Sequence, residues 1–424
     1  MADQANFPDI YIDSAAAGGG TGALASPYNA FSDINWTTGG DNSVFDYYAG
    51  SPTASVNIYL KRGSRWATVM QPTTGGVEGF PLTFSPYGSG ARPIIGGTSG
   101  SIASMKGFNI TNIDYVTIKN IDVEYIDDHG VAIYNGEHVI VQGCNFDDVK
   151  MGVTGNTDTN YISVLNCIIN ETDYSGIRAQ AVTAPSHHLN WTITGNSLSR
   201  INSGSNTGHA AIQTHGDSSG DIANFTIQYN ECDCTTYGTV GIGLDKLATS
   251  TVSNNNVLKD AGTKGEGIAI SGQNVTITEN YIRNPYAGGI TVWSTPASEP
   301  AGLTSDITIT NNRVERTAKH SRYHTGQAIA LVWTDDASTL TNITVANNCL
   351  SGSSYEIQSY KKVGVTVATA YSNVNITDNN MWDSLTGPYN WLYSPDAQLV
   401  VTGGKLAPCP TNRIPRIIHL MNIG

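Results

Sequence analysis

Along most of the chain, apolar and polar positions alternate in one recurring phrase. An aliphatic residue, a polar residue (usually Thr) and a second aliphatic residue are followed by two spacers and an Asn. The phrase reads Val275-Thr276-Ile277-Thr278-Glu279-Asn280, then Ile307-Thr308-Ile309-Thr310-Asn311-Asn312. It returns as Ile343-Thr344-Val345-Ala346-Asn347-Asn348 and Val374-Asn375-Ile376-Thr377-Asp378-Asn379, and earlier copies begin near Val116, Val139, Ile162, Trp191, Phe225 and Ser250. Period-two alternation predicts a strand with one buried face, here with Val275 and Ile277 inward and Thr276 outward. A second apolar stretch, usually opened by a small residue, follows in each copy. Gly130-Val131-Ala132-Ile133, Gly176-Ile177, Gly241-Ile242-Gly243-Leu244, Gly267-Ile268-Ala269-Ile270, Gly289-Ile290-Thr291-Val292 and Ala328-Ile329-Ala330-Leu331 are examples.

Each copy thus supplies two or three short strands and tight corners. The shortest copies, from Val116 and Val139, are 23 residues long. That is too short for a four-stranded propeller blade and fits one coil of a parallel β-helix; the Leu spacing of a leucine-rich repeat is absent. Aligned copies place Asn196, Asn230, Asn255, Asn280, Asn312, Asn348 and Asn379 in one slot. Coils stack at ~4.8 Å, so these amides can form a ladder, and Asn tolerates the left-handed backbone of a sharp corner. Before the ladder begins, the slot holds Ile121, Cys144 and Cys167. Two residues on, an inward column runs through Val123, Phe146, Ile169, Leu198, Cys232, Val257, Ile282, Val314, Leu350 and Met381.

Residues 1–110 differ from the repeats. Asp9-Ile10-Tyr11-Ile12-Asp13 reads as a first strand, followed by a Gly-rich turn at Gly18–Gly22 and by Pro27-Tyr28-Asn29-Ala30-Phe31. Asn57-Ile58-Tyr59-Leu60-Lys61-Arg62-Gly63, Pro81-Leu82-Thr83-Phe84-Ser85-Pro86-Tyr87-Gly88 and Pro93-Ile94-Ile95-Gly96-Gly97 come next. This succession resembles the opening region of the pectate-lyase-like right-handed parallel β-helix proteins, and with the repeats the resemblance covers residues 8–385. It implies an all-β, right-handed, single-stranded parallel β-helix of about ten or more coils with terminal caps. The resulting division is an N-terminal cap and first coils (1–110), the β-helix repeats (111–385), and a C-terminal cap and tail (386–424). The superfamily includes lyases, hydrolases, epimerases, phage tailspikes and noncatalytic virion proteins, so the fold alone does not select a function. The family's calcium pattern of clustered Asp on neighbouring strands, with an Arg-x-x-x-x-Arg motif, is not recognisable here.

Composition narrows the partners. Only 13% of the residues are charged and 45 are Gly, which suits stacked coils whose polar faces need hydrogen bonds rather than charge. A net charge of -13 argues against nucleic acid and repels an acidic polysaccharide unless a local basic patch or a bound cation compensates. No apolar run is long enough for a transmembrane helix, so no membrane insertion is expected. Met1-Ala2-Asp3-Gln4-Ala5-Asn6 lacks a basic and apolar signal segment. The six Cys have no zinc spacing; Cys144 and Cys167 are expected as stacked thiols, and Cys232-Asp233-Cys234 alternates faces, which suits neither a disulfide nor a metal site. No cofactor is expected; a divalent cation such as calcium is the one candidate, without a supporting motif. The segment Lys405–Gly424, with Cys409, Arg413, Arg416 and His419, is expected to cap the solenoid or dock a partner subunit.

Candidate chemistry lies in the outward slots of the second strand. Two residues after the small opener these hold Ala132, Thr154, Arg178, Gln213, Gly243, Ala269, Thr291 and Ala330. Two further on they hold Tyr134, Asn156, Gln180, His215, Asp245, Ser271, Trp293 and Val332. Slots just before the opener add Asp128, His129, His209 and Glu266, with Asp217 in an adjacent loop. A lyase needs a base at a sugar carbon and a cation for the uronate, for which Arg178, His215 and Lys246 are candidates. A glycosidase needs two carboxyls ~5–5.5 Å or ~6.5–9.5 Å apart, for which Asp245 pairs with Glu266 or Asp217. Gln180, Gln213, Lys246 and Trp293 are candidate substrate contacts, and Tyr286 and Trp333 candidate stacking rings. A basic loop, Arg316-Thr317-Ala318-Lys319-His320-Ser321-Arg322-Tyr323-His324, can grip an acidic sugar or a partner's acidic surface. The expectation is a phage virion-associated structural protein of tailspike, fibre or decoration type. It would be homotrimeric or joined to other virion subunits, and would contact a host-surface glycan. The alternatives are an extracellular polysaccharide lyase or glycoside hydrolase, and a non-catalytic glycan-binding β-helix.

Overall fold

In a computed structural model of the chain, the described residues are 9–39, 43–180, 186–204, 208–216, 222–237, 240–259, 265–285, 288–294, 303–315, 327–333, 339–351, 355–361, 371–382, 387–391 and 399–402. The fold is a right-handed parallel β-helix, as the repeats and the resemblance predict. The chain divides into two compact units, Met1–Thr192 and Ile193–Gly424.

In the first unit, three inward columns build the core. Ile10, Ile58, Phe84, Ile118, Val141 and Val164 are successive register partners down one column. Trp66, Ile95, Val123, Phe146 and Ile169 form the second. Phe108, Val131, Val153 and Ile177 form the third. All are buried. A short helix, Val44–Ala49, is N-capped by Ser43, whose Oγ accepts from Asp46 N at 3.0 Å, and it buries Val44, Tyr47 and Tyr48. Strand alternation thus converts directly into a continuous apolar stack, each ring touching only its neighbours above and below.

The second unit repeats the plan. Ile227, Val252, Ile277, Ile309, Val345, Ile376 and Val401 share one register column. Cys232, Val257, Ile282, Val314, Leu350 and Met381 share another, in the order the repeat alignment gave. Parallel pairing runs past residue 385: Gly387–Trp391 pairs with Tyr355–Lys361, and Leu399–Thr402 with Tyr371–Thr377. The tail 405–424, including Cys409, Arg413, Arg416 and His419, lies outside the described residues.

The Asn ladder is present and buried. Each side-chain amide donates to the next Asn Oδ1 along the stack, at 2.9 Å from Asn196 to Asn230 and 3.0 Å from Asn255 to Asn280. The same Oδ1 also accepts the preceding Asn backbone N–H. The second amide proton returns to a strand carbonyl of the coil before, as from Asn255 to Ile227 O and from Asn280 to Val252 O, both 2.9 Å. Cys144 and Cys167 occupy the equivalent slot and aim their thiols at the equivalent carbonyls, Ile118 O at 3.7 Å and Val141 O at 3.6 Å. Both are free thiols, as are Cys232 and Cys234. A weak S–H donor therefore stands where the later coils place an amide.

The left-handed backbone sits one residue earlier than the alignment suggested. The ladder Asn residues are not left-handed; the residues before them are, including Tyr229, Asn254, Glu279, Asn311, Asn347 and Asp378. The ladder slot is thus set by hydrogen bonding, and the corner conformation by its predecessor.

Candidate functional site

The second-strand slots fall in the predicted register within each unit but differ in exposure. Ala132, Thr154 and Arg178 are successive partners, as are Tyr134, Asn156 and Gln180. In the second unit, Gln213 pairs with Gly243, Ala269 with Thr291, and Trp293 with Val332. Several of these positions are not open polar surface: Ala132, Thr154, Thr291, Ala330 and Val332 are at most 1% exposed, whereas Gly243 and Ala269 are partly exposed and His215 is exposed. A charged side chain at a covered position is thus an exception with a cost.

Arg178 is that exception. Its side chain is 8% exposed, its Nε is buried with no hydrogen-bond partner, and it makes no ion pair among the described residues. Burial pulls its pKa below the usual guanidinium range, yet a guanidinium stays charged at any working pH. Asn156, one coil back and two residues along, is 5% exposed and its Nδ2 is also without a partner among the described residues. Diagonal neighbours of this kind lie about 7–8 Å apart. Two buried donors with nothing to donate to are the strongest sign of a ligand on this face.

A titratable cluster borders the same face in the first unit. Asp128 and His129 stand at a β-bulge, where the register between the strands Asp122–Glu137 and Asn145–Asn160 slips: Val149 pairs with Ile126, but Met151 with His129. The extra residue re-aims both side chains, a common device beside active sites. Asp128 Oδ1 contacts His129 Nδ1, and Asp128 Oδ2 receives Lys106 Nζ at 3.0 Å. Burial raises the Asp128 carboxyl, but Lys106 and His129 outweigh it and the net shift is downward, so it is a carboxylate. Burial lowers His129 more than Asp128 raises it, so the imidazole is neutral near pH 7. With Nδ1–H donated to the carboxylate, Nε2 is the free base, and it makes no hydrogen bond among the described residues. In the next coil Lys150 Nζ lies 5.6 Å from the Tyr174 ring centroid and makes no ion pair among the described residues. His129 and Arg178 are separated by two coils and three residues, about 14 Å between Cα atoms.

The remaining sequence candidates belong to the second unit. Gln213 donates from Nε2 to Gly208 O at 2.6 Å. His215 is exposed at the end of the strand Ala210–His215. Asp245 accepts from Ser271 Oγ at 2.7 Å, and its N–H donates to Thr214 Oγ1 at 2.9 Å. Lys246 has a left-handed backbone and donates its N–H to Ser271 Oγ. Glu266 is raised by burial, with Lys259 opposing, and Trp293 packs on Ala330 and Val332. Arg178 and Gln180 are thus in one unit and His215, Asp245 and Glu266 in the other. Asp217, Tyr286 and the basic loop 316–324 lie outside the described residues.

Sequence reading missed Lys106 because it precedes the first recognisable repeat. The signal was available: Lys106-Gly107-Phe108 aligns with His129-Gly130-Val131, and Gly107 N–H donates to His129 O at 3.0 Å. Among the described residues, no three His, Cys, Asp or Glu gather as metal ligands.

No family model and no curated protein matches the chain. Among solved structures, it resembles the PL6-family alginate lyase AlyGC, with a TM-score of 0.62 at 14% identity, over 86% of this chain and 52% of that one. It resembles a mannuronic-acid-specific polysaccharide family 6 lyase from human gut microbiota at 0.59 and 13% identity, over 86% and 88%. The catalytic unit of the GH87 α-1,3-glucanase of Streptomyces thermodiastaticus strain HF3-3 gives 0.53 and 15%, over 92% and 70%. At these identities the likeness is one of fold.

Proposed function

We propose that this chain, a pectate-lyase-like right-handed parallel β-helix, is an extracellular polysaccharide lyase that cleaves uronate-containing chains by β-elimination. The observation that carries the reading is Arg178, whose buried Nε has no hydrogen-bond partner and which makes no ion pair among the described residues. A uronate carboxylate would satisfy it, with the Asn156 amide donating beside it. Neutralising that carboxylate acidifies the neighbouring carbon-bound proton. His129 Nε2, kept neutral by burial and oriented by Asp128, is placed to take the proton. The bond to the departing glycosidic oxygen then breaks as the double bond forms; that oxygen takes a proton from water, and the His129 imidazolium returns its proton to solvent. Lys106 is neutralised by Asp128, but Lys150, without an ion pair among the described residues, adds its charge to that of Arg178, the local compensation an acidic polymer requires.

Of the functions read from the sequence, the polysaccharide-active alternative is the one the similar structures favour, since two are lyases and one a glucanase. A virion role draws no support from them.

The test is incubation with uronate polymers and neutral glucans, following the ultraviolet absorbance of the conjugated unsaturated product. Wild type is expected to generate it from a uronate polymer, and Arg178→Ala to lose about 10²–10³-fold in kcat/KM, the scale of one charge-stabilising donor. Reducing ends released from a neutral glucan without unsaturated product would place the protein among the hydrolases instead.

A further inference from the structure

Beyond the basic face, the first unit has an open groove of about 470 Å³ whose lining the catalytic reading does not use. It begins where the strand Phe108–Thr111 ends, at the corner Asn112–Tyr115, and is closed by the helix Val44–Ala49 and the loop from Thr73. Phe45 lines it with 40% of its surface exposed, among the largest exposures of any apolar side chain described here. Tyr115 forms the far wall, and its ring continues outward as a stack with His138 and Tyr161 at 4.4 and 4.6 Å.

The polar lining is unspent. The Thr73 and Thr74 hydroxyls and the Asn112 Nδ2 make no hydrogen bond among the described residues, and Asp114 commits Oδ1 to Glu137 N at 2.8 Å but leaves Oδ2. Gly75 and Gly76 let this wall form: a Cβ at Gly75 would sit 2.1 Å from Asp114 O, and one at Gly76 2.6 Å from Phe80 O. The charge is of one sign. No Lys, Arg or His lines the groove, while Asp114 lines it; the Tyr115 phenol pKa is raised first by burial and then by the nearby charges of Glu78, Asp114 and Glu137.

We infer that this groove is an accessory binding site for uncharged sugar units. An aromatic ring offers the apolar face of a pyranose a surface to stack on, and unspent hydroxyl, amide and carboxylate groups match its ring of hydroxyls. The acidic rim excludes uronates, so the groove and the Arg178 face have opposite charge preference. The site would hold neutral stretches of a mixed polymer, or a second neutral polymer, raising the local substrate concentration at the basic face.

The test is affinity electrophoresis of the full chain in gels containing a neutral glucan, a galactomannan or a uronate polymer. Retardation by a neutral polymer is expected, with about tenfold weaker binding in Phe45→Ala, retention in Phe45→Trp and no change in Arg178→Ala. Phe45→Trp guards against a trivial folding defect. Absence of retardation in both neutral polymers, or retardation that Arg178→Ala abolishes and Phe45→Ala leaves intact, would overturn the inference. Because the readout is binding, it stands or falls separately from the elimination chemistry.

Discussion

At the scale of single residues, position in the stack decides what a side chain does. Asn280 illustrates this. Its Nδ2 bonds Val252 O, Thr278 O and Asn312 Oδ1, and its Oδ1 accepts Asn255 N and Nδ2. Asn280→Ala is expected to cost about 2–4 kcal/mol, measured by denaturant unfolding, since it strands buried groups in two neighbouring coils. His129 makes a pH prediction. Its folded pKa lies below the unfolded value of about 6.5, so below that pH the unfolded state binds more protons and stability falls. Asp128, lowered in the fold, adds a loss as pH falls further, through its folded value. Asp122, raised to about 6 mainly by burial, acts in the opposite sense and favours the fold as pH falls from about 6 towards 4. Melting temperatures between pH 7 and 5 should therefore decline less steeply in His129→Gln than in wild type. An equal decline in both would refute the assignment of a buried neutral imidazole.

At the scale of strands and coils, the small residues opening the second strand of each repeat set how closely coils approach. A Cβ at Gly152 would meet Gly176 O at 2.5 Å and the Ile169 side chain at 3.0 Å. Gly152→Ala is expected to destabilise by about 1–3 kcal/mol in a thermal melt, and to lower activity because Gly152 neighbours Met151, the register partner of His129. This level is also where sequence reading succeeded and failed. The columns Val123-Phe146-Ile169 and Val257-Ile282-Val314 were legible because alternation and a fixed Asn slot repeat coil after coil. The site was not. A bulge re-aims Asp128 and His129 without changing composition, and Lys106 belongs to an early coil without the repeat's phrase. The Arg178 slot looked like polar surface because Ala, Thr and Gly say little about burial; that Arg178 is buried and unpaired emerges only in three dimensions.

At the scale of the whole molecule, a net charge of -13 and the proposed uronate site at Arg178 pull in opposite directions. On the proposed reading an acidic polymer is repelled by the net charge and held at Arg178, so its binding should depend on salt less simply than a uniformly basic protein's would. A neutral polymer in the Phe45 groove should be nearly indifferent to salt. The central claim is that Arg178 and His129 divide the work of an elimination. It is tested most directly by digesting a defined uronate oligosaccharide in water enriched in heavy oxygen and weighing the products. Elimination predicts an unsaturated end on one fragment and no heavy oxygen at the cleaved bond in either. Heavy oxygen at the new reducing end of fragments reduced at once with borohydride, before the anomeric oxygen exchanges with solvent, and with no unsaturated end, would contradict the account, because it would show that water, not a proton-abstracting base, broke the chain.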